Sequence, residues 1–474
     1  MIELTQQSTR RLSRYFITDK AFYKQALMIF IPVLLQSLIN SGVNLMDNIM
    51  VGTLGEASIS AVSLANQFYG LFNIIVMGLA AAGMVLSSQY FGAGDLRAVR
   101  RVFDFVLQLV GVTAILFAIV TFLLPGPIMR LYTADADVIE HGIGYLRITA
   151  FVYLVHGIAM ALQHLVRSTG DAKLGLYVSI ASFVVNIGAN WVFIFGKLGA
   201  PAMGASGAAL GTLIARVVEL VFALIYIHKH EKNLNYRPVG LVKLPSKSLF
   251  KEFIRLGLPI IISDTLLALA FNVNAIILGH MGKAVTAAYA IVMNIDRIAT
   301  LAIFGLSSCA SVILGQTVGR GAFEEAKRQG WTFLALSVIV GILGGIIVWF
   351  IGVDAVVWLK YNITDETFGI MRSMMHASAF IVLFQSIQSS LGKGVLRGAG
   401  DSVFLMYADV LFQWVASLPL GALTGLVLHW DPSIVLIALK IDNFIKAIWL
   451  IYRMSGNKWI HQAKKIEHTA DEPD

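Results

Sequence analysis

Only one of the 474 residues is a cysteine, Cys309, and it lies in an apolar stretch. That excludes a disulfide framework and a thiolate metal cluster. Charge is scarce too: Asp, Glu, Lys and Arg make up 14% of the chain, against about a quarter of an ordinary soluble globular protein. No GxxxxGK(S/T) phosphate loop occurs, which argues against ATP coupling within this chain. There is no catalytic triad or metal-ligand spacing either, and histidines such as His164 and His376 stand alone. Neither an enzyme nor a cofactor is therefore expected. The short alternating segments of a membrane β-barrel are also missing.

What fills the chain instead is apolar sequence: 57% of residues are hydrophobic and the mean hydropathy is +0.76. Runs long enough to cross a hydrocarbon core of about 30 Å recur along the whole length. The expected fold is an all-α polytopic membrane protein. Twelve transmembrane helices are expected near 25–47, 61–86, 102–124, 143–166, 174–195, 205–227, 253–278, 285–314, 331–352, 371–396, 403–428 and 432–452. The first run follows Arg10, Arg11, Arg14, Lys20 and Lys24 and is too long for a cleaved signal peptide, so it reads as a retained helix.

The net charge of +8 is explained by topology. Most Lys and Arg fall in the N-terminus, the even-to-odd loops and the C-terminal tail, while the other loops hold only Arg130, Lys197, Lys283 and Lys360. The positive-inside rule then places both termini in the cytoplasm. A bilayer, not a nucleic acid, is the expected macromolecular environment. NIT at 362–364 matches a glycosylation sequon on an outside loop, a short motif of little weight.

The chain also repeats itself. A shift of 227 residues superposes Pro32 on Pro259, Asp47 on Asn274, Gly52 on Gly279 and Ala61 on Ala288, and carries Gln89, Gly92 and Gly94 onto Gln316, Gly319 and Gly321. A shift of 230 places VRSTGDAKLGLY (166–177) over LRGAGDSVFLMY (396–407). The expected organisation is an N-terminal lobe (1–235), a cytoplasmic linker (236–252), a C-terminal lobe (253–455) and a cytoplasmic tail (456–474). Two six-helix pseudo-symmetric lobes around a central cavity suit alternating access powered by an ion gradient.

Within this frame the polar residues inside apolar spans are the functional candidates, because each costs free energy in lipid. Asp47 continues the register Asn40, Asn44, Asp47, which lies on one helix face. It reads as a proton carrier, as a sodium ligand, or as a helix-end residue reaching water. Pro32 interrupts the backbone ladder of the same helix and allows a bend, either static or coupled to Asp47. Asn186 and Asn190 are four apart on the fifth span and share a face, as a functional pair or as an interhelical hydrogen-bonding pair. The C-terminal half carries Asp264, Asp296, Arg297, Lys393, Asp409, Lys440, Asp442 and Lys446 inside its spans. Most must pair; Arg297 and Lys393 are the expected compensating cations. Asp264 and Asp409 are the candidates to be left unpaired in one conformation, where one of them would attract a cationic substrate or a proton. Tyr69, Phe271, Phe384 and Trp191 are among the aromatics able to stack on cations. Arg216 and Glu219, three apart, read as a local pair.

DNIMVGTLGEASISAVSLA (47–65), YLRITAF (145–151), VRSTGDAKLGLYVSIASFVVNIGANWVFIFG (166–196) and LRGAGDSVFLMY with the following LPLG (418–421) resemble the multidrug and toxic compound extrusion (MATE) family from about residue 20 to 455. The resemblance implies a monomeric inner-membrane antiporter that expels cationic, amphipathic organic compounds in exchange for H+ or Na+. It places an ion-coupling site at Asp47, Asn186, Asn190 and Thr212, with Asn44, Asp264, Asp409, Tyr69 and Phe384 as substrate-binding candidates. Asn190 departs from the acid found in many relatives. The lost charge weakens a tight Na+ site, since hard cations prefer several anionic oxygens, and favours H+. The alternative is a lipid-linked precursor flippase of the same superfamily, for which Arg297 and Lys393 would supply positive charge.

Overall fold

Lipid offers the backbone no hydrogen-bond partner, so a long apolar run satisfies its amides internally and becomes a helix. The computed structural model describes residues 15–230, 236, 245–351 and 364–464. Arg10, Arg11, Arg14, Lys360, most of the NIT sequon, residues 237–244 of the linker and the tail beyond 464 lie outside the described residues. Among those described, the chain is all-helical, with no strand.

Eleven helices among the described residues are long and apolar enough to span a membrane. They are α1 (Lys20–Gly52), α2 (Glu56–Gly92), α3 (Leu96–Leu123), α4 (Ala136–Ser168), α5 (Lys173–Phe195), α6 (Ala205–His230), α7 (Lys247–His280), α8 (Lys283–Gly319), α9 (Phe323–Ile346), α10 (Asp365–Ser389) and α11 (Ser402–Val410). Wider π-type turns lengthen α9, α10 and α11, carrying the last to Val427. The twelfth span is broken at Lys440 into α12a (Pro432–Leu439) and α12b (Ile441–Ser455). Several helices outrun their apolar cores: α1 continues to Gly52, so Asp47 sits inside a helix rather than at its last turn. Starts are fixed by side chains that accept from orphan amides. Asp95 accepts from Ala98 N at 2.9 Å and Asp135 from Val138 N at 3.2 Å.

The chain divides into two compact units. One holds Leu35–Ser87 and Asp95–Phe253; the other holds Ile254–Lys464 together with Ser88–Gly94 and the chain up to Leu34. The divisions fall inside α1, α2 and α7. Pro32 lies just before the first and Pro259 just after the last, and both are buried within their helices. Each removes an amide from the ladder at that point.

The sequence repeat reappears as repeated fastenings. At the end of α4, Arg167 Nη2 donates to Gln36 Oε1 of α1 at 2.7 Å. After α10, its counterpart Arg397 donates through both terminal nitrogens to Asp264 of α7 at 3.1 Å each. Asp171 accepts the Tyr226 hydroxyl of α6 at 2.7 Å, and its counterpart Asp401 accepts Arg453 Nε of α12b at 2.8 Å. Each half thus ties its fourth helix to its first, and the turn that follows to its sixth, with different chemistry at the same points.

A further packing feature lies within the unit containing Ile254–Lys464. Gly92 rests on the Gln316 backbone and Gly319 on the Gln89 backbone, so a Cβ on either would collide with main chain. The chain beyond α12b folds onto this crossing. Ala463 N donates to Gln89 Oε1 at 2.7 Å, Gln462 Nε2 donates to Gly319 O at 2.8 Å, and Trp459 is fully buried.

Candidate polar site of the first six helices

Helix α5 buries its polar side. Ser179, Ser182, Asn186 and Asn190 recur at helical spacing among its buried residues, while Val184 and Trp191 are exposed. This inversion of soluble-protein amphipathicity is expected where lipid is the solvent. It aims Asn190 at α1, where Asn190 Nδ2 donates to Asp47 Oδ1 at 2.5 Å and reaches Asn186 Oδ1 at 3.4 Å. Asn190 Oδ1 is buried without a hydrogen-bond partner among the described residues and lies against Gly211 of α6, where any side chain would collide with it. Thr212, the next residue, is half-buried and makes no hydrogen bond to the cluster among the described residues. Asn40 and Asn44 are exposed and Asp47 is half-buried.

A second polar group occupies α4 and α6 of the same unit. Arg216 Nη1 donates to both carboxylate oxygens of Glu219, at 3.0 and 2.9 Å, as their spacing predicts. His156 Nδ1 lies 3.5 Å from Glu219 Oε2. Tyr69 packs its ring 5.9 Å from His156 and 5.6 Å from Tyr153. His156 carried no sequence signal, because its partner Glu219 is distant in sequence. Arg216 stands within electrostatic reach of Asp47, but no cation touches Asp47 among the described residues. Its hydrogen-bond partners are the amides of Asn190 and Asn186.

The carboxylates of the other unit are arranged differently. Asp264 is held by Arg397 and by Lys393, each at 3.1 Å. Asp409 accepts Lys446 Nζ at 3.2 Å and the Ser263 hydroxyl at 2.5 Å, and Lys446 also bridges to Asp442 at 2.8 Å. Asp264 and Asp409 are therefore both paired in this structure. Lys393 is one of the compensating cations, as expected, whereas Arg297 is exposed and takes no part. Arg397 and Lys446 do most of the pairing. Arg397 had a signal in the repeat, as the counterpart of Arg167; Lys446 lies four residues from Asp442, a helical spacing that marks a pair. Among the described residues, Asp296 accepts a hydrogen bond only from the Ser378 hydroxyl, at 2.6 Å to each oxygen. Phe384 stands between Phe380 and Phe444, ring centroids 5.1 and 4.9 Å away.

The MatE family model matches residues 32–192 and 259–423, once in each half of the repeat. The chain is 27% identical to a probable multidrug resistance protein NorM of Agrobacterium fabrum, covering 84% of this chain and 86% of that protein. It is 23% identical to the multidrug resistance protein MdtK of Yersinia enterocolitica, covering 86% and 89%. The crystal structure of a MATE protein in complex with MaD3S superposes on 92% of this chain with a TM-score of 0.83. That match takes in 96% of the solved chain at 18% identity, a likeness of fold.

Proposed function

Because this chain belongs to the MatE family, we propose that it is a secondary active antiporter exporting cationic, amphipathic organic compounds in exchange for H+, with Na+ as the alternative ion. One observation carries the reading. Asp47 is a carboxylate in a membrane-spanning helix held by neutral amides, while Glu219, Asp264, Asp409 and Asp442 all have cations in contact; Asp296, on the Ser378 hydroxyl, is the other membrane carboxylate without a cation in contact among the described residues. A carboxylate without a fixed counter-ion is free to exchange one mobile cation for another, which antiport requires. The unpartnered Asn190 Oδ1 adds a neutral oxygen beside it; one anionic oxygen donor group suits a proton better than a tightly held Na+.

In this reading Asp47, Asn186 and Asn190 load the ion, with Thr212 at their margin. Asn44, Tyr69 and Phe384 contact substrate, and Asp264 and Asp409 join them only if their pairs open. Pro32 lets α1 respond. The working unit is a monomer in the inner membrane with both termini cytoplasmic, its lobes being 1–235 and 253–455. The description of its relatives as multidrug resistance proteins supports a broad substrate range.

The test uses proteoliposomes containing wild-type protein or Asp47→Asn. Addition of an organic cation substrate should drive proton movement through the wild type, while the variant inserts and folds but exchanges neither species. Substrate movement down an imposed ion gradient in Asp47→Asn would overturn the coupling role. Substrate-driven Na+ flux without pH change would replace H+ by Na+.

A further inference from the structure

The end of α2 is set apart from the rest of that helix. Ser88–Gly94 belong to the compact unit of Ile254–Lys464, while α2 up to Ser87 belongs to the other unit. Within the first of these units the contact is main chain against main chain, Gly92 on Gln316 and Gly319 on Gln89, with the fully buried Ser88 facing Gly315 of α8. A contact this close is either made or parted, because packed interfaces are bistable rather than continuously deformable.

The chain after α12b lies over this crossing in two parts. Its root is fixed to the unit's own later helices. Trp459 is fully buried and reaches Gly330 of α9, Arg453 Nη2 donates to Lys458 O at 2.9 Å, and His461 N donates to Ala399 O at 2.8 Å, in the turn after α10. Its tip reaches the ends of α2 and α8. Ala463 N donates to Gln89 Oε1 at 2.7 Å, the Tyr90 hydroxyl donates to Lys464 O at 2.9 Å, and Gln462 Nε2 donates to Gly319 O at 2.8 Å. Gln89 Nε2 in turn donates to Gly398 O at 3.0 Å and to His461 O at 3.4 Å, so this one side chain is gripped by the tail and by the end of α10 together.

Root and tip differ in what releasing them costs. The root is anchored by a buried indole. At the tip, His461, Gln462 and Lys464 are exposed and the segment carries no helix. Its bonds are therefore made in competition with water, and it can lift from α2 while the root stays in place.

We propose that residues 459–464 form a strap that holds the ends of α2 and α8 crossed, and that its tip must lift from α2 before the protein opens on this face. By binding the crossed state and not the parted one, the strap sets the balance between them. Its purpose rests on the antiporter reading, since alternating access requires helix ends to part on one face while they close on the other. Its existence is read without transport.

Ser88→Cys in a Cys309→Ala background is the only thiol of the chain, enclosed until α2 and α8 part. The test measures its rate of labelling by a maleimide in the purified full-length protein in detergent. Tyr90→Phe with Gln462→Ala removes two bonds of the tip and leaves the root and the main-chain crossing intact. Labelling should then be about fivefold faster or more, as the loss of two ordinary hydrogen bonds allows, in protein that still elutes as one species. A rate unchanged within about twofold would overturn the strap. The opposite constraint uses Tyr90→Cys with Lys464→Cys, again with Cys309→Ala, joined by a cleavable bis-methanethiosulfonate linker in proteoliposomes. Efflux of an organic cation should fall about tenfold or more and return when the linker is reduced. Efflux as fast with the linker as without it would also overturn the strap, and the reduced sample shows that misfolding is not the cause. If the reduced protein moves no organic cation, the antiport reading fails instead, and the labelling rates alone decide on the strap.

Discussion

Asn190 Nδ2 donates to Asp47 Oδ1 at 2.5 Å, joining α5 to α1 across 143 residues of sequence. The repeat counterpart of Asp47 is Asn274, so the fold tolerates a neutral amide at this level of the helix. The carboxylate belongs to one half only, which is what a coupling group rather than a packing requirement would look like.

Asn190→Ala deletes a hydrogen bond to a charged group, worth about 1.5–3 kcal/mol. Efflux from proteoliposomes is expected to fall about tenfold or more while the amount of folded protein changes little. Asn190→Asp places a second carboxylate on the first, a better match to a hard cation. Added Na+ should stimulate the aspartate variant more than the wild type, measured as initial efflux rate against Na+ concentration at fixed pH.

Arg397 and Asp264 form a buried ion pair, to which the partly exposed Lys393 adds a second cation. Asp264→Leu leaves two cations facing each other and should lower stability by about 3–5 kcal/mol. Asp264→Leu combined with Arg397→Leu leaves only Lys393, whose side chain is 37% exposed and can move its charge toward water. The double variant should therefore be more stable than Asp264→Leu alone, read as thermal inactivation in detergent at one scan rate. Additive losses would show that the three groups do not act as a unit.

The fold was legible because apolar length and a duplicated pattern survive without any knowledge of contacts. The positions Asp47, Asn186 and Asn190 were legible because helical spacing puts each pair or stripe on one face. Ion-pair partners were less so. Arg216–Glu219 is local and readable, but Arg397 finds Asp264 at a separation of 133 residues, and only tertiary packing selects it over Asp296 or Asp409. The break at Lys440 was not readable either, since no proline or glycine marks it.

Trp459, beyond the last helix, is fully buried although its segment carries no helix. Trp459→Ala should cost about 3–5 kcal/mol, the usual range for an aromatic removed from a packed interior. If this segment merely lay on the surface, the variant would unfold at the wild-type temperature.

The two QxxGxG segments offer a sharper test, because each contains two glycines needed for different reasons. At Gly319 a Cβ meets the Gln89 backbone, which cannot rotate away as a side chain would. At Gly321 the surrounding space is open, but φ is +76°, a conformation costly for any residue with a Cβ. Gly321→Ala should therefore lose about 1 kcal/mol, the left-handed penalty alone. Gly319→Ala forces the main chains apart and should lose about 1–3 kcal/mol, as overpacked interiors do. Gly92→Ala, the reciprocal contact on Gln316, should cost about as much. Gly92→Ala with Gly319→Ala should cost less than the two separately, since one displacement of the crossing relieves both collisions. Thermal inactivation of the four proteins decides the matter. Equal losses at Gly319 and Gly321 would mean that backbone conformation, and not the close crossing of α2 and α8, is what these glycines serve.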